Sequence, residues 1–222
     1  GLLRADELQV GDVIETCTLP EPDEPLRPAH IGLDAAWFVG LYLAEGSRHN
    51  GKISIAGHIK EDARWQRVQQ IAEMYGGTAT RSIDGNNMTI RAYGKMLNTL
   101  IDMFVSGRVA HDKALNPVVW RYSNEWLRAL LDGYLSGDGH YDAANNRWRI
   151  GFTRNYSLER DLRTLAARLG LTLTLNLSTA TVDGREFPTF RGELRFEKTG
   201  HHNERSRSEV VVIRKSRCRE VY

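Results

Sequence analysis

The sequence predicts an α+β protein made by tandem duplication, each half running helix, strands, helix, strands around an antiparallel sheet. Three observations lead there. First, Phe38-Val-Gly-Leu-Tyr-Leu-Ala-Glu-Gly46 and Leu131-Asp-Gly-Tyr-Leu-Ser-Gly-Asp-Gly139 resemble each other: both are apolar along one side, carry small residues, and end in an acid and a glycine. Second, the likeness continues downstream at a nearly constant offset. Glu45 and Asp138 stand 93 positions apart, while residues 71–76 and 165–170, and Thr78 and Thr80 with Thr172 and Thr174, match at 94. Third, apolar and polar residues alternate with the period of two that a half-buried strand requires.

Each element has a local reason. Residues 19–28 hold four prolines and four charged residues, which suits a linker or ordered loop. Asp34 is placed to cap the first motif helix and Ser123 the second. Gly46 and Gly139 suit a helix stop, where glycine accepts the left-handed backbone. In the first half Ile53 and Ile55 alternate with Lys52, Ser54 and Ala56, and Asp84-Gly85-Asn86-Asn87 reads as a hairpin turn. In the second, Trp148, Ile150 and Phe152 alternate with Arg147, Arg149, Gly151 and Thr153. Leu171, Leu173, Leu175 and Leu177 then alternate with polar residues, Asp183-Gly184 turns the chain, and Leu194 and Phe196 flank Arg195. Trp37, Trp65, Trp120, Trp126 and Trp148 fall at core positions.

Composition narrows the function classes. The 222 residues are 41% hydrophobic and 26% charged, with a formal net charge of +2. No apolar run approaches the roughly 20 residues that span a bilayer, and the start lacks the basic-then-apolar form of a secretory signal. Cys17 and Cys218 are too few for a disulfide framework and have no neighbours at zinc-ligand spacing. An intracellular, cytoplasmic protein without a membrane partner is expected. The outer strand positions are rich in Arg, Lys, Thr, Ser, Asn and His, with Glu193 the main carboxylate. Those side chains read base edges and phosphates. The expected contacts are Arg48, Lys52, Ser54, His58, Arg81, Arg91, Arg147, Arg149, Arg154, Thr172, Thr174, Arg191 and Arg195.

The two nonapeptides resemble the paired LAGLIDADG motifs of homing endonucleases, with Glu45 and Asp138 at the acid positions. The resemblance covers roughly residues 33–196 and implies tandem pseudo-twofold αββαββα repeats with saddle-shaped sheets. It also implies a monomer that binds double-stranded DNA and hydrolyses both strands at a long site. Gly40 and Gly133, with Ala44 and Gly137, would let the two motif helices pack closely; a mid-helix glycine otherwise costs about 1 kcal/mol relative to alanine. By the same resemblance Glu45 and Asp138 hold Mg2+ or another divalent cation, aided by the carbonyls of Ala44 and Gly137. The cation makes paired carboxylates tolerable beside a phosphate and activates water. His111-Asp-Lys113 resembles the segment that carries a catalytic Lys, so Lys113 is expected to polarise the attacking water or stabilise the transition state. Its second-half counterpart is left open between Arg207 and Lys198. A regulator or RNA maturase of the same fold, without cleavage, is the alternative.

The ends resemble an intein. Leu8-Gln-Val-Gly-Asp-Val-Ile14 resembles a strand of the Hint splicing fold, and the Val210–Tyr222 segment resembles strands that follow an inserted endonuclease. Without a leading Cys or Ser, a closing His-Asn or a Thr-x-x-His block, the chain is not expected to splice. The expected organisation is a stub and linker at 1–30, repeats at 31–122 and 123–200, and a basic stub at 201–222. The terminal strands are Hint remnants in this reading.

Overall fold

The structure is a computed structural model. It describes Glu7, Gln9, residues 13–16, 19–28, 30–182, 184–195 and 206–209; for 13–16, 182 and 206–209 only the backbone is described. The chain divides into two compact units, residues 1–18 with 199–222, and residues 19–198. In the first unit β1 (Val13–Thr16) pairs antiparallel with β12 (Ser206–Glu209). Cys17, Lys198, the His201-His202 pair, Cys218 and the 210–222 segment lie outside the described residues.

The larger unit repeats one connectivity. The first half runs α1 (Leu33–Glu45), β2 (Gly46–His49), β3 (Lys52–His58), α2 (Asp62–Met74), β4 (Thr78–Asp84), β5 (Asn87–Tyr93) and α3 (Lys95–Phe104). The second runs α4 (Asn124–Asp138), β8 (Gly139–Asp142), β9 (Arg147–Thr153), α5 (Tyr156–Arg168), β10 (Thr172–Val182) and β11 (Arg185–Arg195). Between them lie β6 (Val105–Ser106), β7 (Ala114–Leu115) and a 3-10 turn at Pro117–Arg121. The sheet orders are β2-β3-β5-β4 and β8-β9-β11-β10, the same order twice. Among the described residues no helix is long and apolar enough to cross a membrane.

Burial explains the arrangement. From Ala35 to Leu43 every residue of α1 is buried, as expected of a helix that is apolar all round. It packs against α4, which buries Trp126, Leu127, Leu130, Leu131, Gly133, Tyr134 and Leu135. Ser123 caps α4 by accepting from the Trp126 amide. Asp34, expected as a cap, sits inside the first turn of α1 and pairs with Arg67 instead. The sheets turn Ile53, Ile55, Met88, Ile90 and Ala92, and Ile150, Phe152, Phe190 and Leu194, toward the helices. Leu177, also expected inside, is 56% exposed although its cross-strand partner Phe190 is buried, since β10 is the edge strand of its sheet.

Candidate functional site

The site begins at the seam between α1 and α4. A Cβ added at Gly40 would run into the carbonyl oxygen of Leu130, and one at Gly133 into that of Trp37. At Gly137 it would press on the Ala44 methyl and the Glu45 side chain. Backbone therefore touches backbone, and the helices end together. Gly46 and Gly139 leave them in extended conformations, φ −81° and −93°, correcting the left-handed stop expected from sequence. Their glycine requirement comes from crowding, because a Cβ would meet Tyr42 at one exit and Leu135 and Trp148 at the other.

This seam brings Glu45 and Asp138 to one cavity of about 410 Å3, also lined by Ala44, Lys113, Thr153, Leu158 and Arg191. Burial, then the Glu45 charge, pushes the Asp138 carboxyl up to about 7; Tyr134, Lys113 and Arg64 oppose the rise. Glu45 is raised too, by burial, against the pull of Arg64 and Lys113. Two carboxyls held together out of water lack sufficient positive charge. Hard oxygen donors in that state suit a divalent cation. Among the described residues no group of three or more His, Cys, Asp or Glu forms a metal cluster, so backbone oxygen, water or phosphate would complete a coordination shell here.

Lys113 departs from its expected role. It is 2% exposed, and its ammonium donates to the carbonyls of Tyr42 (3.0 Å), Ala44 (3.2 Å) and Gly46 (2.9 Å). An ammonium has three donors, so in this arrangement none is left to polarise a water. Burial lowers it to about 8, while the charges of Asp138, Glu45 and Asp112 resist. The Ala44 carbonyl, expected beside a metal, is thereby engaged. The second repeat holds the segment in place. Asn155 donates to the carbonyls of Ala110 (3.1 Å) and Lys113 (2.8 Å) while capping α5, and Asp161 accepts from the Leu115 amide at 2.7 Å. Neither buttress was anticipated; an asparagine just before an apolar helix was the available signal for Asn155.

A second cation closes the end of α4. Arg64, from α2, donates to the Ser136 carbonyl and pairs with Glu61 at 2.7 Å. Nothing in its own neighbourhood of sequence marks it out. Arg207, one of the two expected candidates, lies in β12 of the terminal unit with its side chain outside the described residues.

Strand register decides which expected contacts share the polar faces. Lys52, Ser54 and His58 of β3 lie opposite Tyr93, Arg91 and Asn87, on the face away from the helices. In the second sheet Arg147, Arg149, Arg191, Arg195, Thr172 and Thr174 occupy the equivalent face, and Arg154 follows β9, exposed. Arg48 and Arg81 do not belong to this set. Arg48 opposes Ile53 and bonds Asp102 of α3; Arg81 opposes Ile90 and lies over the Trp65 ring, paired with Asp62. One residue of register moves a side chain to the other face. The second polar face also holds more acid than expected, since Asp142 accepts from Arg147 (3.1 Å) and Arg149 (2.7 Å).

Comparison with known proteins places this geometry. No protein-family model matches the chain. It is 25% identical over 197 residues to the DNA-directed RNA polymerase subunit Rpo1C of Methanocaldococcus jannaschii. The match takes in 84% of this chain and 22% of that subunit, so the chain spans about a fifth of the curated relative. Among solved structures, mesophilic variants of the homing endonuclease I-DmoI match with a TM-score of 0.52 at 13% identity, over 75% of this chain and 90% of theirs. I-DmoI in complex with DNA and Ca matches with a TM-score of 0.52 at 13% identity, over 73% and 84%. At such identities the likeness is one of architecture: the chain has the LAGLIDADG fold.

Proposed function

We propose that the chain is a divalent-metal-dependent DNA endonuclease that cuts both strands at a long recognition site. The observation that carries this is the meeting of Glu45 and Asp138 in one cavity at the joined ends of α1 and α4. Glu45 and Asp138 hold Mg2+ or a similar ion, with the Gly137 carbonyl and the second lone pair of the Ala44 carbonyl, whose first takes the Lys113 ammonium, as further oxygen donors. Such an ion, when bound, neutralises phosphate charge and acidifies a water. The polar sheet faces take up the duplex through Lys52, Ser54, His58, Arg91, Arg147, Arg149, Arg154, Thr172, Thr174, Arg191 and Arg195. Arg191 lines both the acid cavity and a second one of about 440 Å3 on the sheet, which continues the cationic surface toward the carboxylates. The I-DmoI complex with DNA and Ca supports the same partner and ion class.

An intein origin also belongs to this reading. A stretch similar to most of this chain makes up a fifth of a polymerase subunit, as expected of an element inserted in a host protein. A duplex made by joining the DNA on either side of the coding segment is therefore the substrate to try. Glu45→Gln and Asp138→Asn should each slow its cleavage by a factor of at least about 100, with metal-free binding kept. Cleavage that survives both changes rules out this pair as the metal ligands.

A second reading, a DNA-binding regulator or RNA maturase that no longer cuts, draws on Lys113, whose ammonium takes up the Ala44 carbonyl. A nicking assay with Mg2+ on the joined duplex separates the two: binding without any nick favours the non-cutting protein.

A further inference from the structure

Each central helix ends against a cation, and the two cations come from unrelated points in the chain. Lys113, from the connector between the repeats, closes the end of α1 through three carbonyls. At the end of α4 the Ser136 carbonyl has lost its place in the helical ladder, because the chain turns into β8 at Gly139. Arg64 supplies the missing donor from the other repeat, 72 positions away.

The helices α2 and α5 show why the sources differ. Both have 13 residues, and their starts, Asp62 and Tyr156, are 94 positions apart. The residue corresponding to Arg64 is thus Leu158, which lines the acid cavity beside Lys113. Exchanging the two repeats carries the end of α1 onto the end of α4 and Leu158 onto Arg64. One side of the seam has an apolar residue with Lys113 beside it; the other has a guanidinium. Arg64 is 10% exposed. Its charge is the foremost influence holding down the Glu45 carboxyl and the least of three that hold down Asp138.

We propose that Arg64 is the basic residue of the second cleavage centre, reaching from α2 of the first repeat to bind a phosphate oxygen at the end of α4. This rests on the nuclease reading and deepens it. Arginine suits this place, since its planar fork of five donors can hold Ser136, Glu61 and a phosphate oxygen together.

The test measures affinity for the joined-flank duplex against salt, without divalent metal. Arg64→Gln should reduce the slope of log K against log salt by about 0.9, the loss of one neutralised phosphate, and Arg64→Lys should restore it. With Mg2+, Arg64→Gln should accumulate nicked circles, because one strand is cut more slowly than the other. An unchanged slope, or equal slowing of both strands, overturns the assignment. Should Arg64→Gln fail to fold in a melting experiment, Glu61→Gln serves instead. It keeps the guanidinium, removes its internal counter-charge and should tighten metal-free binding; unchanged or weaker binding overturns the assignment. A wild-type chain with no affinity for the duplex sinks the nuclease reading and this inference together, whereas with a wild type that binds and cuts, a failed Arg64 variant test counts against Arg64 alone.

Discussion

In the first repeat the polar face of the sheet is built from hydroxyls, Ser54, Thr78, Thr80, Ser82 and Thr89, around Lys52 and Arg91. In the second the corresponding face carries Arg147, Arg149, Arg191 and Arg195, three of them already paired with Asp142 or Glu193. The backbones agree in strand order while the charges do not. Packing explains the difference. Inward residues and seam glycines answer to a close-packed interior, so a change there is felt at once. Outward residues answer only to water and to whatever is bound. The acids of the second face hold its arginines in place, and Glu193 is itself lowered by Arg147 and Arg195. Ion pairs on a solvent-facing sheet contribute little to stability, so on the nuclease reading a phosphate can displace such a carboxylate. On the same reading, two unlike faces on a duplicated frame suit a DNA site whose halves differ.

The comparison breaks most readily at the seam. Gly40→Val and Gly133→Val should each destabilise the chain toward or beyond the upper end of about 1–3 kcal/mol, because each new side chain meets the other helix's backbone. Denaturant unfolding measures this, and tolerance of either change would show that the two helices do not share one close contact.

The helix ends give a smaller effect that depends on pH. The Asp138 carboxyl is raised from 3.8 to about 7, so between those values the folded chain keeps a proton that the unfolded chain sheds. Without metal, stability should therefore fall as pH rises from about 4 toward 7. Asp138→Asn should reduce that fall, the remainder belonging to the raised Glu45 carboxyl, and leave a variant more stable than wild type above about pH 7. Lys113 acts in the opposite sense. It is lowered from 10.5 to about 8, so its contribution to stability rises with pH across that window. Melting temperatures across pH check both signs, and an Asp138→Asn variant with the wild-type slope would contradict the crowding of the two acids.

The smallest effect sharpens the contrast between faces. Arg191→Gln should reduce the salt slope of DNA binding by about 0.9, whereas Arg81→Gln, on the helix side of its sheet, should leave it unchanged. A loss of slope at Arg81 would mean that the duplex reaches the wrong face.

Lys113 and Arg81 show how far local sequence can be trusted. Arg81 sits in Thr78-Ala-Thr-Arg-Ser-Ile-Asp84, where the helix-facing phase runs Ala79, Arg81, Ile83; an arginine on that phase hides the alternation. Arg48 lies in a strand of four residues, too short for a period to declare itself. Lys113 was legible as a residue of the site, but its burial under three carbonyls depends on α1, 67 to 71 positions earlier.

By itself the sequence determined the duplication, the alternating strands, the small residues of the motif helices and the two acids that close them, because each is written in spacing within a segment or in an offset between segments. Only the tertiary structure decided which arginines face outward, that Gly46 and Gly139 are required by crowding, and that Lys113 and Arg64 end opposite helices. Those facts arise where distant segments meet, and the contacts that set them have no period to be read along the chain.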